Sequence, residues 1–238
     1  MRKSLPILLA SALLPTVARA APGSGQEVYP ATIDPGEIEA GMRYDTLRGG
    51  SDAGEDVIQL ELSHGFSSSF WAGLNAEFGR EPGLPREAET LGFEAVYRVG
   101  RIAGIDVAVY GEYALGLAGH SDAVEAKLLL ERRKGPVDLR FNLIGEKTLV
   151  SGEKVELTYA ASATYGAGEA KFGVEAFGDL GTFDHLLPRA EHYLGPVATF
   201  GIDRLGPEMQ LSAGYLFALG ATRESAAGQL RLAVEFAF

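Results

Sequence analysis

The sequence predicts an all-β protein, an antiparallel up-and-down transmembrane β-barrel of about 12 strands. Hydrophobic and polar residues alternate with a period of two along most of the chain. No apolar stretch after residue 20 approaches the roughly 18 residues of a membrane-spanning helix, although 46% of the residues are hydrophobic. The last alternating segment ends on phenylalanine. A closed barrel is the non-helical structure that satisfies all of its backbone polar groups inside a bilayer.

Residues 1–20 have the pattern of a cleavable export signal. Arg2 and Lys3 form a positive start, residues 5–14 form a short apolar stretch, and an Ala-Arg-Ala ending places small residues where a signal peptidase cleaves. We expect cleavage before Ala21. Export through the periplasm would then deliver the chain to a bacterial outer membrane.

The remaining chain divides into two regions. Residues 21–35 contain three prolines and show no hydrophobic period, which predicts a flexible periplasmic N-terminal segment. Residues 36–238 are expected to form the barrel, because alternation begins there and continues to the end of the chain.

Composition excludes several classes of function. Removal of residues 1–20 would leave 18 basic side chains against 32 acidic ones, a net charge of −14. Nucleic acids and anionic lipid surfaces attract Lys and Arg, so neither is an expected partner. The chain has no cysteine, which excludes disulfides, thiolate metal sites and a lipid-modified N-terminal cysteine. Phosphate-binding loops and dinucleotide fingerprints are absent, and we expect no cofactor.

Each predicted strand has one apolar and one polar face. In the first strand, Ile38, Ala40, Met42 and Tyr44 share one face, and Glu37, Glu39, Arg43 and Asp45 share the other. The alternation slips near Phe177, and Pro196 cannot donate to a ladder, so we expect a bulge at each place. The facing of strands between residues 170 and 200 is left open.

The predicted connections alternate in length. Longer ones follow the odd-numbered strands, for example residues 46–55 and 79–89, and short ones follow the even-numbered strands, for example 65–68 and 133–136. Outer-membrane barrels alternate short periplasmic turns with longer outer loops in this way. Both termini are therefore expected on the periplasmic side.

The last strand carries the most specific local pattern. Leu230, Leu232, Val234, Phe236 and Phe238 form an apolar stripe that ends at the carboxyl terminus. This resembles the C-terminal signature of outer-membrane barrels, so we expect Phe236 and Phe238 to act as a membrane assembly signal. The expected partners are outer-membrane lipid and the barrel assembly machinery.

A periplasmic sandwich or lipocalin-like barrel is the soluble alternative, since its strands alternate too. Such a barrel would turn its apolar face inward and carry most charges on loops. Here charged residues recur in the strand centres, and aromatic residues lie toward strand ends, which favours a membrane barrel.

Several strand segments resemble a widespread group of uncharacterised proteobacterial outer-membrane β-barrel proteins. They are VEAFGDLG at 174–181, HYLGPV at 192–197, LSAGYLFALG at 211–220 and LRLAVEF at 230–236. The resemblance implies the fold and the location of the chain. It implies no catalytic residues and no substrate, because its motifs are strand patterns.

Strand parity predicts an acidic lumen. The residues expected to face it are Glu37, Glu39, Arg43, Asp45, Glu61, Glu77, Glu94, Arg98, Asp106, Glu112, Glu125, Lys127, Glu131, Asp138, Arg140, Glu156, Glu175, Arg231 and Glu235. Charged rings select ions by sign. We therefore expect a narrow channel for cations or small neutral polar solutes.

Three alternatives remain open from the sequence. About 12 strands lie between a filled barrel and an aqueous pore, so the molecule could be a plugged structural or interaction barrel without transport. A lipid hydrolase has less support, with candidates at His64 beside Ser67–Ser69 and at His120 beside Ser121 and Asp122. A metal-handling barrel also has less support, with Asp184, His185, Glu191 and His192 near one loop. We assign no catalytic and no metal-ligating residues, and the oligomeric state stays open.

Overall fold

The computed structural model describes residues 21–187, 191–202 and 207–238, and the predicted export signal lies outside these ranges. Twelve long strands form a closed antiparallel barrel, in which the last strand pairs with the first. The predicted fold class is confirmed. With one two-residue strand included, the strands are β1 (Ile38–Arg48), β2 (Asp56–Ser67), β3 (Phe70–Arg80), β4 (Glu87–Ile102), β5 (Ile105–Gly116), β6 (Ala123–Lys134), β7 (Val137–Thr148), β8 (Glu156–Ala167), β9 (Ala170–Thr182), β10 (His185–Leu186), β11 (Glu191–Ile202), β12 (Glu208–Gly220) and β13 (Gly228–Ala237).

β10 is not a barrel strand, because its two residues only extend β9 as a short hairpin. Barrel closure is made by β1 and β13, and the register from Glu39 opposite Ala237 to Arg48 opposite Gly228 has no shift. The backbones of Ile38 and Phe238 also bond to each other in both directions. The chain therefore leaves no long unpaired edge between its first and last barrel strands.

The two ends of the barrel differ in the length of their connections. At one end, here called the long-loop end, the connections include residues 49–55, 117–122 and 221–227, the last containing a short 3₁₀-helix at Ala221–Glu224. At the other, the short-turn end, two-residue connections such as 135–136 join the strands. This alternation follows the sequence prediction.

The outer surface of the barrel is apolar. Leu62 and Phe93 are 54% and 55% exposed, whereas Glu94, next to Phe93, is 4% exposed. Neighbouring residues on a strand point to opposite sides of a sheet, so the apolar stripes face outward and the charged stripes face inward. A soluble barrel has the reverse arrangement, and a membrane barrel has this one.

Residues 21–35 do not form the flexible periplasmic extension that the sequence predicted. They lie inside the barrel, where Val28, Tyr29 and Ala31 are buried. This stretch is called the lumenal segment below. The prediction failed because it treated prolines and small polar residues as a sign of flexibility, whereas the barrel wall supplies hydrogen-bond partners for the backbone of this segment.

Of the two predicted bulges, the one near Phe177 lies at Leu180, and none is found at Pro196. Phe177 pairs with Ala160 and Tyr193 in regular register, and the shift in this region occurs where Leu157 and Thr158 face Gly181 and Asp179. At Pro196 the pairing with β12 is interrupted, but its register is the same on both sides. Proline lacks a backbone N–H but adds no extra residue to the strand. One hydrogen bond between the strands can therefore be lost while the register is kept.

No helix in the three described ranges is long and apolar enough to cross a membrane.

Candidate functional site: the lumen and the segment inside it

The lumenal segment runs through the barrel from one end to the other. The backbone amide of Ala21 donates to Glu55, in a loop at the long-loop end. The amide of Gly36 donates to the carbonyl of Gly65 at 2.7 Å, at the short-turn end where β1 begins. Residues 21–35 therefore extend along the length of the lumen.

Near the long-loop end, charged side chains of the wall bind the backbone of the segment. Arg231 donates to the carbonyls of Gly23, at 3.1 Å, and Gln26, and the amide of Gly25 donates to Asp45 at 2.8 Å. Arg231 also forms an ion pair with Asp45 at 3.3 Å. Since hydrogen bonds to charged groups are stronger than those between neutral groups, these contacts hold the glycine-rich part of the segment firmly.

Gly23 has no room for a side chain. Its φ is +86°, and a Cβ atom would lie 2.5 Å from Cγ of Phe177. Phe177 points into the lumen, where the Arg231 guanidinium lies 4.3 Å from its ring centroid. A glycine is needed here for both the backbone conformation and the close approach to the ring.

In the middle of the barrel, the segment is held by β1 and β7. Arg43 forms an ion pair with Glu27 at 2.5 Å, and Arg140 donates to the carbonyl of Val28 at 3.2 Å. The amide of Tyr29 donates to Asn142 Oδ1 at 2.7 Å, and Asn142 Nδ2 donates to the carbonyl of Tyr29 at 3.0 Å.

The Tyr29 side chain packs against the inner face of strands β4, β5 and β6. Its hydroxyl donates to Glu94 at 3.0 Å, and the Tyr110 hydroxyl donates to the same carboxylate oxygen at 2.8 Å. The Lys127 ammonium lies 4.4 Å from the Tyr29 ring centroid and 4.3 Å from that of Tyr110. Lys127 also pairs with Glu125 at 2.9 Å. The segment thus completes an internal polar network around one buried cation.

Toward the short-turn end, one carboxylate accepts three hydrogen bonds from the segment. Glu131 Oε2 accepts from the amides of Ala31 and Thr32 at 2.9 and 3.0 Å, and from the Thr32 hydroxyl at 2.8 Å. Its other oxygen pairs with Arg133 at 2.5 Å and Arg140 at 3.8 Å. Glu131 is 1% exposed, so these partners replace the water it has lost.

Two apolar clusters surround the segment inside the barrel. The first contains Val28, Leu47, Ile144, Ala160, Phe177, Tyr193, Leu216, Ala218 and Ala226, and the second contains Tyr29, Ala31, Val96, Ala108, Tyr110 and Leu129. Neither cluster was predicted from the sequence. The available signal was the run Leu128-Leu129-Leu130 in β6, because Leu129 places an apolar side chain on the face that is otherwise polar.

Open space remains mainly near the short-turn end. A cavity of about 450 Å³ is lined there by Tyr29 and Trp71, by eight carboxylate residues and by three basic residues. An adjoining cavity of about 150 Å³ reaches Arg43, Glu175 and Arg231. Burial, followed by repulsion from Asp34 and Glu208, raises the pKa of Glu37 at the mouth of the larger cavity.

The residues expected to face the lumen fall into two groups. Those that line the cavities are Glu37, Glu39, Arg43, Glu61, Asp138, Arg140, Glu175, Arg231 and Glu235. Those held in polar contacts outside the cavities include Asp45, Glu94, Arg98, Asp106, Glu112, Glu125, Lys127 and Glu131. Glu77 approaches Gly25 of the segment, and Glu156 interacts with Glu146. Much of the second group stabilises packed protein and does not border open space.

The candidate hydrolase residues do not come together as catalytic pairs. His64 Nδ1 contacts the carbonyl of Glu37 at 3.0 Å, at the short-turn end. Asp122 accepts from Tyr113 and from the amide of Gly116, and these two hydrogen bonds, Tyr113 first, lower its pKa. The carboxylate that follows His120 and Ser121 in the chain is therefore engaged elsewhere.

The candidate metal ligands are separated as well. Asp184 pairs with Lys154 at 3.0 Å, and His192 Nδ1 lies 3.3 Å from the Tyr159 hydroxyl. Across the described part of the chain, no three His, Asp or Glu residues are placed to hold a metal ion.

The barrel resembles solved bacterial channels in architecture. The KdgM porin has a TM-score of 0.56 and 13% identity, with 84% of this chain and 99% of that one covered. The COG4313 outer membrane channel from Pseudomonas putida F1 has a TM-score of 0.57 and 12% identity, covering 86% and 96%. The NanC porin has a TM-score of 0.53 and 11% identity, covering 84% and 98%.

The chain shares the fold of these outer-membrane channels. No protein-family model and no curated protein sequence matches it. At such low identity the likeness establishes the architecture alone. The resemblance to a proteobacterial family of outer-membrane barrels stays a prediction.

Proposed function

We propose that this protein is a narrow outer-membrane channel for cations or small neutral polar solutes, and that the lumenal segment closes it in the conformation described here. Three features support the proposal: the apolar outer face, the fold shared with porins, and the acidic cavity inside the barrel. The acidic cavity is the main observation that supports the proposed solute class.

Within the larger cavity, eight carboxylate residues stand against three basic ones. Two of the basic residues, Arg133 and Arg140, already pair with Asp138 at 3.3 and 3.0 Å. Glu39, Glu61 and Glu235 have no such ion-pair partner in the described part of the chain. This wall has a surplus of negative charge, which attracts cations and repels anions.

The proposed solute class differs from that bound by one similar barrel. The KdgM porin has been solved in complex with oligogalacturonate, a chain of sugar carboxylates. Such an anion would meet repulsion from Glu39, Glu61 and Glu235 in this lumen. A cation or a neutral hydroxylated solute would not.

Topology supports a placement in the membrane. We propose that residues 1–20 are removed during export, that the short-turn end and its cavity face the periplasm, and that the long loops face outward. Outer-membrane lipid would then cover the apolar belt, and the assembly machinery would recognise Phe236 and Phe238. The larger cavity would open toward the periplasm.

Planar-bilayer recording across a salt gradient tests the proposed function. The mature protein is compared with a variant in which residues 21–31 are replaced by a Gly-Ser sequence of equal length, which keeps the connection to β1 but removes the anchoring side chains. We expect rare openings in the first protein and frequent cation-selective openings in the second. Anion selectivity would contradict the acidic-lumen argument, and a silent variant would contradict the channel.

A permanently closed structural barrel is the second candidate. The observation that favours it is the apolar packing inside the lumen, where Leu129, Leu216 and Phe177 are completely buried. Burying such side chains stabilises the closed state by roughly 1.5–3 kcal/mol each. Conductance by the mature protein itself would exclude this candidate, whereas conductance by the Gly-Ser variant alone would favour it.

A further inference from the structure

The first residue of the lumenal segment meets a carboxylate at the long-loop end. The amide of Ala21 donates a hydrogen bond to the Glu55 side chain. Ala21 also packs against the apolar cluster that contains Tyr193. The segment turns here, since the amide of Ser24 donates to the carbonyl of Ala21 at 2.9 Å. Position 21 therefore has a defined place in the fold.

Two loops close over this place. The amide of Glu55 donates to the carbonyl of Asp52, and the amide of Asp52 donates to the carbonyl of Ser225, both at 3.0 Å. These bonds tie the loop of residues 49–55 to the loop of residues 221–227. Tyr193 is completely buried, and its hydroxyl has no hydrogen-bond partner within the described ranges.

Several acidic residues act on Glu55. Asp52, Glu81 and Glu89 each raise its pKa electrostatically. Arg80 and Arg86, which follow in the next loop region, both bind Asp56 instead. Burial first, and then repulsion by Asp52, raise the pKa of Glu55 to about 7 despite the hydrogen bond from Ala21. A positive charge placed here would be attracted by these carboxylates.

We propose that the α-amino group of the mature chain supplies this charge, so that signal cleavage before Ala21 creates an ammonium that binds Glu55 and locks the lumenal segment across the barrel. Hydrolysis of the bond between Ala20 and Ala21 consumes one water and leaves a carboxylate on Ala20 and an amine on Ala21. That amine takes up a proton at neutral pH. Before cleavage, the same nitrogen is an amide and carries no charge. The inference rests on the proposed processing but not on conduction.

The ion pair has a measurable consequence for the amine. A free α-amino group has a pKa of about 7.7–8.0, and an opposite charge within about 4–6 Å raises the pKa of an amine by about one unit or more. The reactive neutral fraction at pH 7 should then fall about tenfold. The tryptic peptide Ala21–Arg43 contains no lysine, so acylation of this peptide reports the α-amine alone.

The experiment measures acylation of the mature protein in detergent as a function of pH, in the folded state and in denaturant. We expect the folded protein to show a labelling midpoint about one pH unit above that of the unfolded chain, and Glu55→Gln to remove most of this shift. Glu81→Gln, which changes a neighbouring carboxylate, is the matched control and should keep it. Burial without an opposite charge would instead lower the midpoint, because desolvation disfavours the ammonium.

Two outcomes would overturn the inference. One is an equal midpoint in the folded and unfolded wild-type protein, which needs no variant and so does not depend on how Glu55→Gln folds. The other is a mature chain that mass spectrometry shows to begin at a residue other than Ala21. A barrel that never conducts would leave the labelling result unchanged, so failure of the channel proposal remains distinguishable.

Discussion

Asn142 binds the backbone of Tyr29 through both atoms of its side-chain amide. The amide of Tyr29 donates to Oδ1 at 2.7 Å, and Nδ2 donates to the Tyr29 carbonyl at 3.0 Å. An adjacent β-strand would offer the same donor and acceptor pair, but here one side chain of β7 provides both, 113 residues away in sequence. Asn142 is completely buried, so these two bonds fix the midpoint of the lumenal segment in a water-poor place.

Replacing Asn142 with alanine should release the segment. Both backbone groups of Tyr29 would lose their partner, at a cost of about 1–3 kcal/mol for each group left unsatisfied. Because 1.4 kcal/mol is a tenfold change in an equilibrium, we expect at least about tenfold more frequent openings in planar bilayers. Asn75→Ala is the control, since Asn75 is also buried but donates to Glu112. Equal opening in both variants would contradict the role of Asn142.

Gly23→Ala should also displace the segment, by a steric route. The new Cβ would collide with the Phe177 ring, and the positive φ would add strain. Gly36→Ala is matched, because its φ is +89° but nothing lies within 4 Å of the new atom. We expect higher conductance for the first variant only. If Gly36→Ala opens the channel equally, strain and not the collision is responsible.

Lys127→Glu should weaken the binding of Tyr29. The change removes the cation between the two tyrosine rings, an interaction worth about 2 kcal/mol when desolvated. It also places a carboxylate beside Glu94 and Glu125. Release can be followed with a glutamate-specific protease, which should cut after Glu27 faster in this variant.

Lys171→Glu is the control for that experiment, because Lys171 lines the cavity but is not among the hydrogen-bond or cation–ring partners of Tyr29 in the described part of the chain. Unchanged cleavage after Glu27 in Lys127→Glu would show that the polar network does not hold the segment.

Cation preference should depend on the wall carboxylates. In the Gly-Ser variant, the triple change Glu39→Gln, Glu61→Gln and Glu235→Gln should shift the reversal potential in a salt gradient toward zero. The effect should be largest at low salt, where the screening length is about 30 Å at 0.01 M. Asp122→Asn, in an exposed loop, should leave the reversal potential unchanged. A triple variant with wild-type selectivity would exclude this wall as the filter.

Phe238→Ser should reduce assembly in cells without greatly changing the stability of the finished barrel. The Phe238 side chain is 67% exposed, and its contribution to closure is the backbone pairing with Ile38, which serine retains. Phe172→Ser is the control, because Phe172 is 56% exposed on the barrel face but lies inside the chain. Heat-dependent gel mobility of membrane fractions measures the amount of assembled barrel for both variants. Equal losses would mean that the terminal position has no special role.

The alternation of residues determined the barrel wall. Lys127 and Leu128 show why: neighbouring strand residues point to opposite sides, so one polar and one apolar residue already specify inside and outside. The same period gave the strand count and the long and short connections. The slip in alternation near Phe177 reflects a bulge that lies at Leu180. The bulge predicted at Pro196 was wrong, because a proline can remove one hydrogen bond without shifting the register.

Only the tertiary structure decided what fills the lumen. The backbone amides and carbonyls of residues 21–35 are bound by Asn142, Arg140 and Glu131. Nearly every residue type has the same backbone donor and acceptor. The sequence of the segment therefore could not predict these distant partners. One wall residue, Leu129, did indicate the presence of the lumenal segment, because it is apolar on a face expected to be polar. Such a residue predicts that another part of the protein packs against it. The packing partner, however, is determined only by the closed barrel, which brings distant residues together.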